Sequence, residues 1–93
     1  MIVSFRDPET ATIWSGGRSG RLLSDIQAPA LRKLRLVNNA RRLGDLLVPP
    51  GNRLEALKGN RIGQHSIGIN DQWRICFVWK DNHAHEVEIV DYH

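Results

Sequence analysis

Ninety-three residues, 25% of them charged and 41% hydrophobic, describe one folded domain spanning residues 1–93 and exclude a disordered chain. No apolar stretch approaches the roughly 18 residues that cross a bilayer, and the start MIVSFRDPET lacks the basic-then-apolar order of a secretory signal. The single cysteine, Cys76, excludes an internal disulfide, so the expectation is a cytoplasmic protein with no membrane attachment.

A net charge of +3 conceals a strong asymmetry. Residues 18–61 carry ten Lys or Arg against Asp25, Asp45 and Glu55, whereas residues 81–93 carry Asp81, Glu86, Glu88 and Asp91 with no Lys or Arg. Ten of the thirteen basic residues are Arg, the side chain whose planar fork matches phosphate. Such a balance points either to a polyanion-binding surface or to a solvated helix face.

Along the chain, Ile2, Val3 and Phe5 predict a short first strand over residues 1–6. Asp7-Pro8-Glu9 reads as a helix start, with Asp7 capping free amides, Pro8 at the first helical position and Glu9 at the positive end of the dipole. Gly16-Gly17 closes that helix, and residues 18–27 fit helix or loop equally. A second helix is predicted from Ala30 to about Leu46, where Leu31, Leu34, Val37, Ala40, Leu43 and Leu47 recur at steps of three and four. Gly44 and Pro49-Pro50-Gly51 stop it; Leu54 and Leu57 anchor the connection. After Gly63 the period becomes two: Ile67 and Ile69, then Trp73, Ile75, Phe77 and Trp79, then Val87 and Ile89, separated by turns at Asn70-Asp71 and Asp81-Asn82. The order β-α-α-β-β-β is an α+β fold, with two helices packed on one face of a small twisted antiparallel sheet.

Few residues carry chemistry in a recognisable pattern. His83, His85 and Glu86 lack closed metal geometry, and Cys76 sits mid-strand among large apolar residues. Gly16, Gly17 and Gly20 do not make a phosphate loop or dinucleotide fingerprint, so no metal and no cofactor are expected. Two groups remain. Arg53, Lys58 and Arg61 flank the entry to the sheet, and Arg74 lies in its central strand on the face opposite Trp73 and Ile75. The chain ends on Asp91-Tyr92-His93, an acid, a phenol and an imidazole. Imidazole suits proton transfer near neutral pH, guanidinium and ammonium suit the charge of a phosphorane, and a phenol ring stacks on a base.

The second half, LVPPGNRLEALKGNRIGQHSIGINDQWRICFVWKDNHAHEVEIVDYH, and the start MIVSF together resemble the HigB toxins of bacterial type II toxin–antitoxin modules, within the RelE/ParE structural superfamily. The resemblance covers nearly the whole chain and implies two helices on an antiparallel sheet. It implies a metal-independent endonuclease that cuts mRNA in the ribosomal A site. It further implies a helix-turn-helix antitoxin of HigA type as partner, with operator DNA engaged indirectly through it. Carried onto this sequence, it makes Lys58, Arg74, Asp91, Tyr92 and His93 the catalytic candidates; Arg18, Arg53 and Arg61, from the basic run, are the RNA-binding candidates. Arg74 and Lys58 take transition-state charge, Tyr92 stacks, and His93 and Asp91 transfer and orient protons. Two positions depart. Some relatives have a catalytic histidine where this chain has Glu55, so the general-base task falls to Glu55, His65 or His93. Many relatives have Arg where this chain has Gly68, which implies either a lost phosphate contact and a weakened toxin, or drift. Two rival readings stay open: a toxin-fold module that binds ribosome or nucleic acid without cutting, and a gyrase-directed poison of ParE type.

Overall fold

In the computed structural model, which describes residues 1–20, 22 and 24–91, two helices cover one face of a four-stranded antiparallel sheet. Helix α1 (Pro8–Trp14) forms where the sequence announces it. The Asp7 carboxylate accepts from the Thr10 amide at 3.2 Å, Pro8 opens the helix, and Gly16 follows its end at a φ of 90° that suits glycine. Fully buried Thr10 donates its hydroxyl to Asp7 at 2.7 Å and accepts from the Ile89 amide at 3.0 Å, which ties the helix start to the last strand.

Helix α2 (Ser24–Asn39) begins earlier than the apolar repeat predicts and stops seven residues short of Leu46. The reason lies in Asp45, whose Oδ2 accepts from the amides of Arg41 and Arg42 at 2.9 and 3.1 Å and so draws the chain out of the helix. These two bonds hold the Asp45 carboxyl below its ordinary range. A 3₁₀ turn, Leu43–Leu47, follows; Leu46 enters the core and Leu47 points to solvent, the reverse of the predicted stripe. The buried positions Ile26, Ala30, Leu34 and Val37 keep helical spacing and pack on the sheet with Ile13.

The strands are β1 (Glu55–Ala56), β2 (Gln64–Gly68), β3 (Trp73–Lys80) and β4 (His83–Asp91), hydrogen-bonded in that order. The three-strand meander is as predicted, and the β3–β4 turn has Asp81 and Asn82 both at positive φ, as a tight hairpin requires. Strand β1 was not visible in the pattern because two residues offer no period. The predicted first strand is reduced to two isolated parallel bridges, Ile2 with Ala84 and Phe5 with Val87. Between them β4 bulges at Glu86 (φ 51°), whose amide is met by the Ser4 hydroxyl rather than by a main-chain carbonyl.

Sheet residues Ile67, Ile75, Phe77, Val87 and Ile89 close the core against the helices. Burial of each such side chain stabilises the fold by about 1.5–3 kcal/mol before conformational entropy is counted. Among the described residues no helix is long and apolar enough to cross a membrane.

Candidate functional site

Strand alternation delivers a second set of side chains to the face away from the helices. The register pairs Glu55 with Ser66, Ser66 with Cys76, Gly68 with Arg74, and Arg74 with Val90, so all of these share that face. Arg74 is its centre. Its side chain is only 9% exposed, yet its charge is well housed. Nε donates to the Ser66 hydroxyl at 2.8 Å, and Nη2 donates to the Arg53 carbonyl at 2.6 Å and the Ser66 carbonyl at 3.3 Å. The half-exposed Glu55 carboxylate lies 3.6 Å from Nε.

The Arg53 carbonyl is available because Arg53 adopts a left-handed conformation, φ 47° and ψ 54°, at the end of the 3₁₀ turn Pro50–Asn52. That turn hangs on Asn52, which is fully buried. Asn52 accepts from the Lys33 ammonium of α2 at 2.6 Å and donates to the Leu46 and Val48 carbonyls at 3.2 and 3.3 Å. The helical layer thereby fixes the loop, the loop fixes a carbonyl, and the carbonyl fixes Arg74. The Arg53 guanidinium turns back over the β2–β3 turn, donating to the Asn70 carbonyl at 3.3 Å with Asp71 3.6 Å away. Neither Asn52 nor Ser66 was singled out from sequence; the turn chemistry of Pro-Pro-Gly-Asn was the one available signal.

A second charged group adjoins the first. Glu88 is 13% exposed, accepts from Arg61 at 2.7 Å and lies 3.5 Å from Arg6, while Arg61 also reaches Gln64 at 3.1 Å. Cys76 is buried beside Glu88 in the sheet, and burial pushes its thiol up, away from the reactive thiolate.

The structure brings together Arg53, Gly68 and Arg74, and adds Glu55. Lys58 is exposed just after β1, its carbonyl receiving the Arg61 amide at 3.2 Å. Arg61 is committed in part to Glu88. Arg18 does not join them. It borders a groove of about 260 Å³ between the helices, with Ile13, Gln27 and Leu31, on the other side of the sheet. Asp91 pairs with Trp73 and accepts from Gln72 at 3.1 Å, so alternation turns it to the face opposite Arg74. His65 likewise lies with Phe77 on the helix side, its ring 6.4 Å from that of Phe77, and is not a partner for Arg74. Tyr92 and His93 lie outside the described residues. Gly68 is no gap: a Cβ there would stand 3.2 Å from Arg74 Nη1 and 3.6 Å from Arg53 Nη2. Among the described residues no three His, Cys, Asp or Glu side chains group as a metal would need.

A four-stranded antiparallel sheet with two helices on one face is a fold that known proteins share. A chain of the YoeB–YefM complex from Staphylococcus aureus superposes with a TM-score of 0.62 over 100% of this chain and 98% of that one, at 18% identity, which speaks to fold. Toxin HigB-1 of Vibrio cholerae is 38% identical over 85 residues, 90% of either chain. An uncharacterized protein of Haemophilus influenzae is 26% identical over 72 residues, 77% of this chain and 71% of its own. The profile of the RelE-like toxins of the type II toxin–antitoxin system HigB matches residues 3–93. The chain belongs to the HigB-like toxin family.

Proposed function

We propose that this chain arrests translation by cutting mRNA in the ribosomal A site, using protein side chains alone. The observation that carries the reading is the Arg74 guanidinium, fixed by Ser66 and the Arg53 carbonyl, with the Glu55 carboxylate 3.6 Å away. Cleavage of RNA by its own 2′-hydroxyl breaks the P–O5′ bond and leaves a 2′,3′-cyclic phosphate and a 5′-hydroxyl. The step needs a proton acceptor at O2′, a cation for the growing charge on the phosphoryl oxygens, and a proton donor at O5′. A guanidinium that is already desolvated and oriented stabilises that charge without reorganising. Glu55, at the position where some relatives have a histidine, is the acceptor. Arg74 and Lys58 take the charge, Tyr92 stacks on a base, and His93 donates. Asp91 assists from the strand end rather than from the Arg74 face.

In this reading the protein works in the cytoplasm as one 93-residue domain. It is silenced by a helix-turn-helix antitoxin of HigA type, through which it engages operator DNA indirectly. One observation favours the rival, non-cleaving reading: the protein itself consumes three donor contacts of Arg74.

Mapping of message ends on programmed ribosomes separates the readings. The full chain is expected to cut within the A-site codon, Glu55→Gln to lose roughly a hundred- to thousandfold in rate, and a chain truncated after Val90 to lose cutting altogether. Translational arrest with intact message would instead support binding without cleavage. Intact message and unimpaired translation with gyrase poisoning would support the ParE-like reading.

A further inference from the structure

We propose that the groove between α1 and α2 seats an acidic, amphipathic helix of the antitoxin. The proposal rests on the antitoxin pairing given above and says which surface of this chain that partner meets. The groove encloses about 260 Å³, room for a large apolar side chain, and Ile13, Ala28 and Leu31 line it. Part of its rim is bare backbone. Gly16 and Gly17 follow α1 there, their amides donating to the Ile13 and Thr12 carbonyls at 3.0 and 2.9 Å. A Cβ at residue 17 would stand 2.9 Å from Thr12 Cγ2 and 3.2 Å from the Thr12 carbonyl oxygen, so glycine is the residue that fits. A rim without side chains lets another main chain come close.

Cations edge this apolar floor. Arg18 borders the groove, and Arg32 and Arg35 stand one helical turn beyond Ala28 and Leu31 on the same side of α2. All three are exposed, and among the described residues none of them enters an ion pair. The acids of the two helices do not answer them. Glu9 accepts from the Ser19 hydroxyl at 2.6 Å, and Asp25 sits in the first turn of α2, where the helix dipole favours it. An aliphatic groove edged by unpaired arginines matches a helix that sets apolar anchors among carboxylates. RNA is the poorer match, because its phosphates would meet the arginines and leave the aliphatic floor unfilled. Arg18, expected from the basic run to contact RNA, thus belongs to a protein-facing surface across the sheet from Arg74.

The test is titration calorimetry of the full chain against the purified antitoxin, with Ala28→Trp, the double variant Arg32→Glu/Arg35→Glu, and Lys80→Glu as comparisons. Ala28 is exposed, so tryptophan there fills the groove without entering the core, and amide spectra verify each fold. Lys80, at the end of β3 and outside the groove lining, controls for loss of a positive charge alone. The seat predicts a loss of affinity of roughly tenfold or more in Ala28→Trp and in the double variant, and none in Lys80→Glu. It also predicts that parental binding weakens with salt and that the double variant loses part of that dependence. On programmed ribosomes Ala28→Trp should arrest translation as the parent does, the Arg74 face being untouched. Equal affinity in all four chains overturns the seat and leaves the antitoxin pairing in place. A parent chain that binds no antitoxin removes both. Full antitoxin affinity in the double variant, together with lost action on ribosomes, overturns the proposal and assigns these arginines to ribosomal RNA.

Discussion

Arg74 is a charge in a place that water barely reaches, and its neighbours explain how the fold tolerates it. Every hydrogen bond described for it runs to a neutral acceptor, two carbonyls and a hydroxyl, with one carboxylate at longer range. Such acceptors fix the orientation of the guanidinium, which the proposed electrostatic role requires. Ser66→Ala removes the Nε acceptor and leaves the strand backbone intact. It is expected to lower cutting by about tenfold while changing stability by about 1 kcal/mol, read from single-turnover kinetics and urea titration. Arg53 sits in a conformation that costs an ordinary residue about 1 kcal/mol relative to glycine. Arg53→Gly should therefore unfold at equal or higher urea, the midpoint of the titration being the check. Thr10 serves two elements with one hydroxyl, and Thr10→Val strands the Ile89 amide in the core. A loss of about 1–3 kcal/mol in urea unfolding is expected, and an unchanged midpoint would mean that the tie between α1 and β4 carries no stability.

At the scale of elements, the end of α2 is decided by one carboxylate rather than by the apolar repeat. Because hydrogen bonds from Arg42 and Arg41 depress the Asp45 pKa in the folded state, Asp45 favours the fold above its ordinary pKa. That contribution fades as pH falls through the depressed value. Acidification from neutral pH to about 3 should lower the urea midpoint of the parent chain more than that of Asp45→Asn, which keeps an acceptor but does not titrate there. Equal losses in both would show that Asp45 does not govern the helix end. The same residue shows what sequence pattern conveys and what it does not. Capping residues announced α1, and periodicity found α2, the β2–β3–β4 meander and the core face of Ile75 and Phe77, since these last depend on repeats of 3.6 and 2. It overran α2 by reading Leu43 and Leu47 as further turns, because a side chain that competes for backbone amides leaves no mark on the repeat. It missed β1, which is fixed by pairing with β2 and not by its own two residues. Arg74 was legible by alternation. Its cage was not, because Ser66, Arg53 and Asn52 come from a neighbouring strand and a loop whose approach no spacing encodes.

The whole molecule separates two tasks onto two faces of one sheet. The helical side holds the core, and the groove bordered by Arg18 lies there. The other side holds Glu55, Arg53, Arg74 and the Arg61–Glu88 pair. Asn52 and Lys33 join the two sides, so damage to the helical layer should reach the site through the loop. Asn52→Ala leaves the Lys33 ammonium and two carbonyls without their buried partner and should cost about 2–3 kcal/mol in stability, together with a fall in cutting rate under conditions where the variant is folded. The most direct test of the central claim uses ribosomes programmed with two messages, identical but for a 2′-O-methyl group on the nucleotides of the A-site codon. The account predicts cleavage of the unmodified message with a 2′,3′-cyclic phosphate end, and none of the methylated one, whose O2′ has no proton to give. Equal cutting of both messages, or arrest of translation with neither cut, would contradict it.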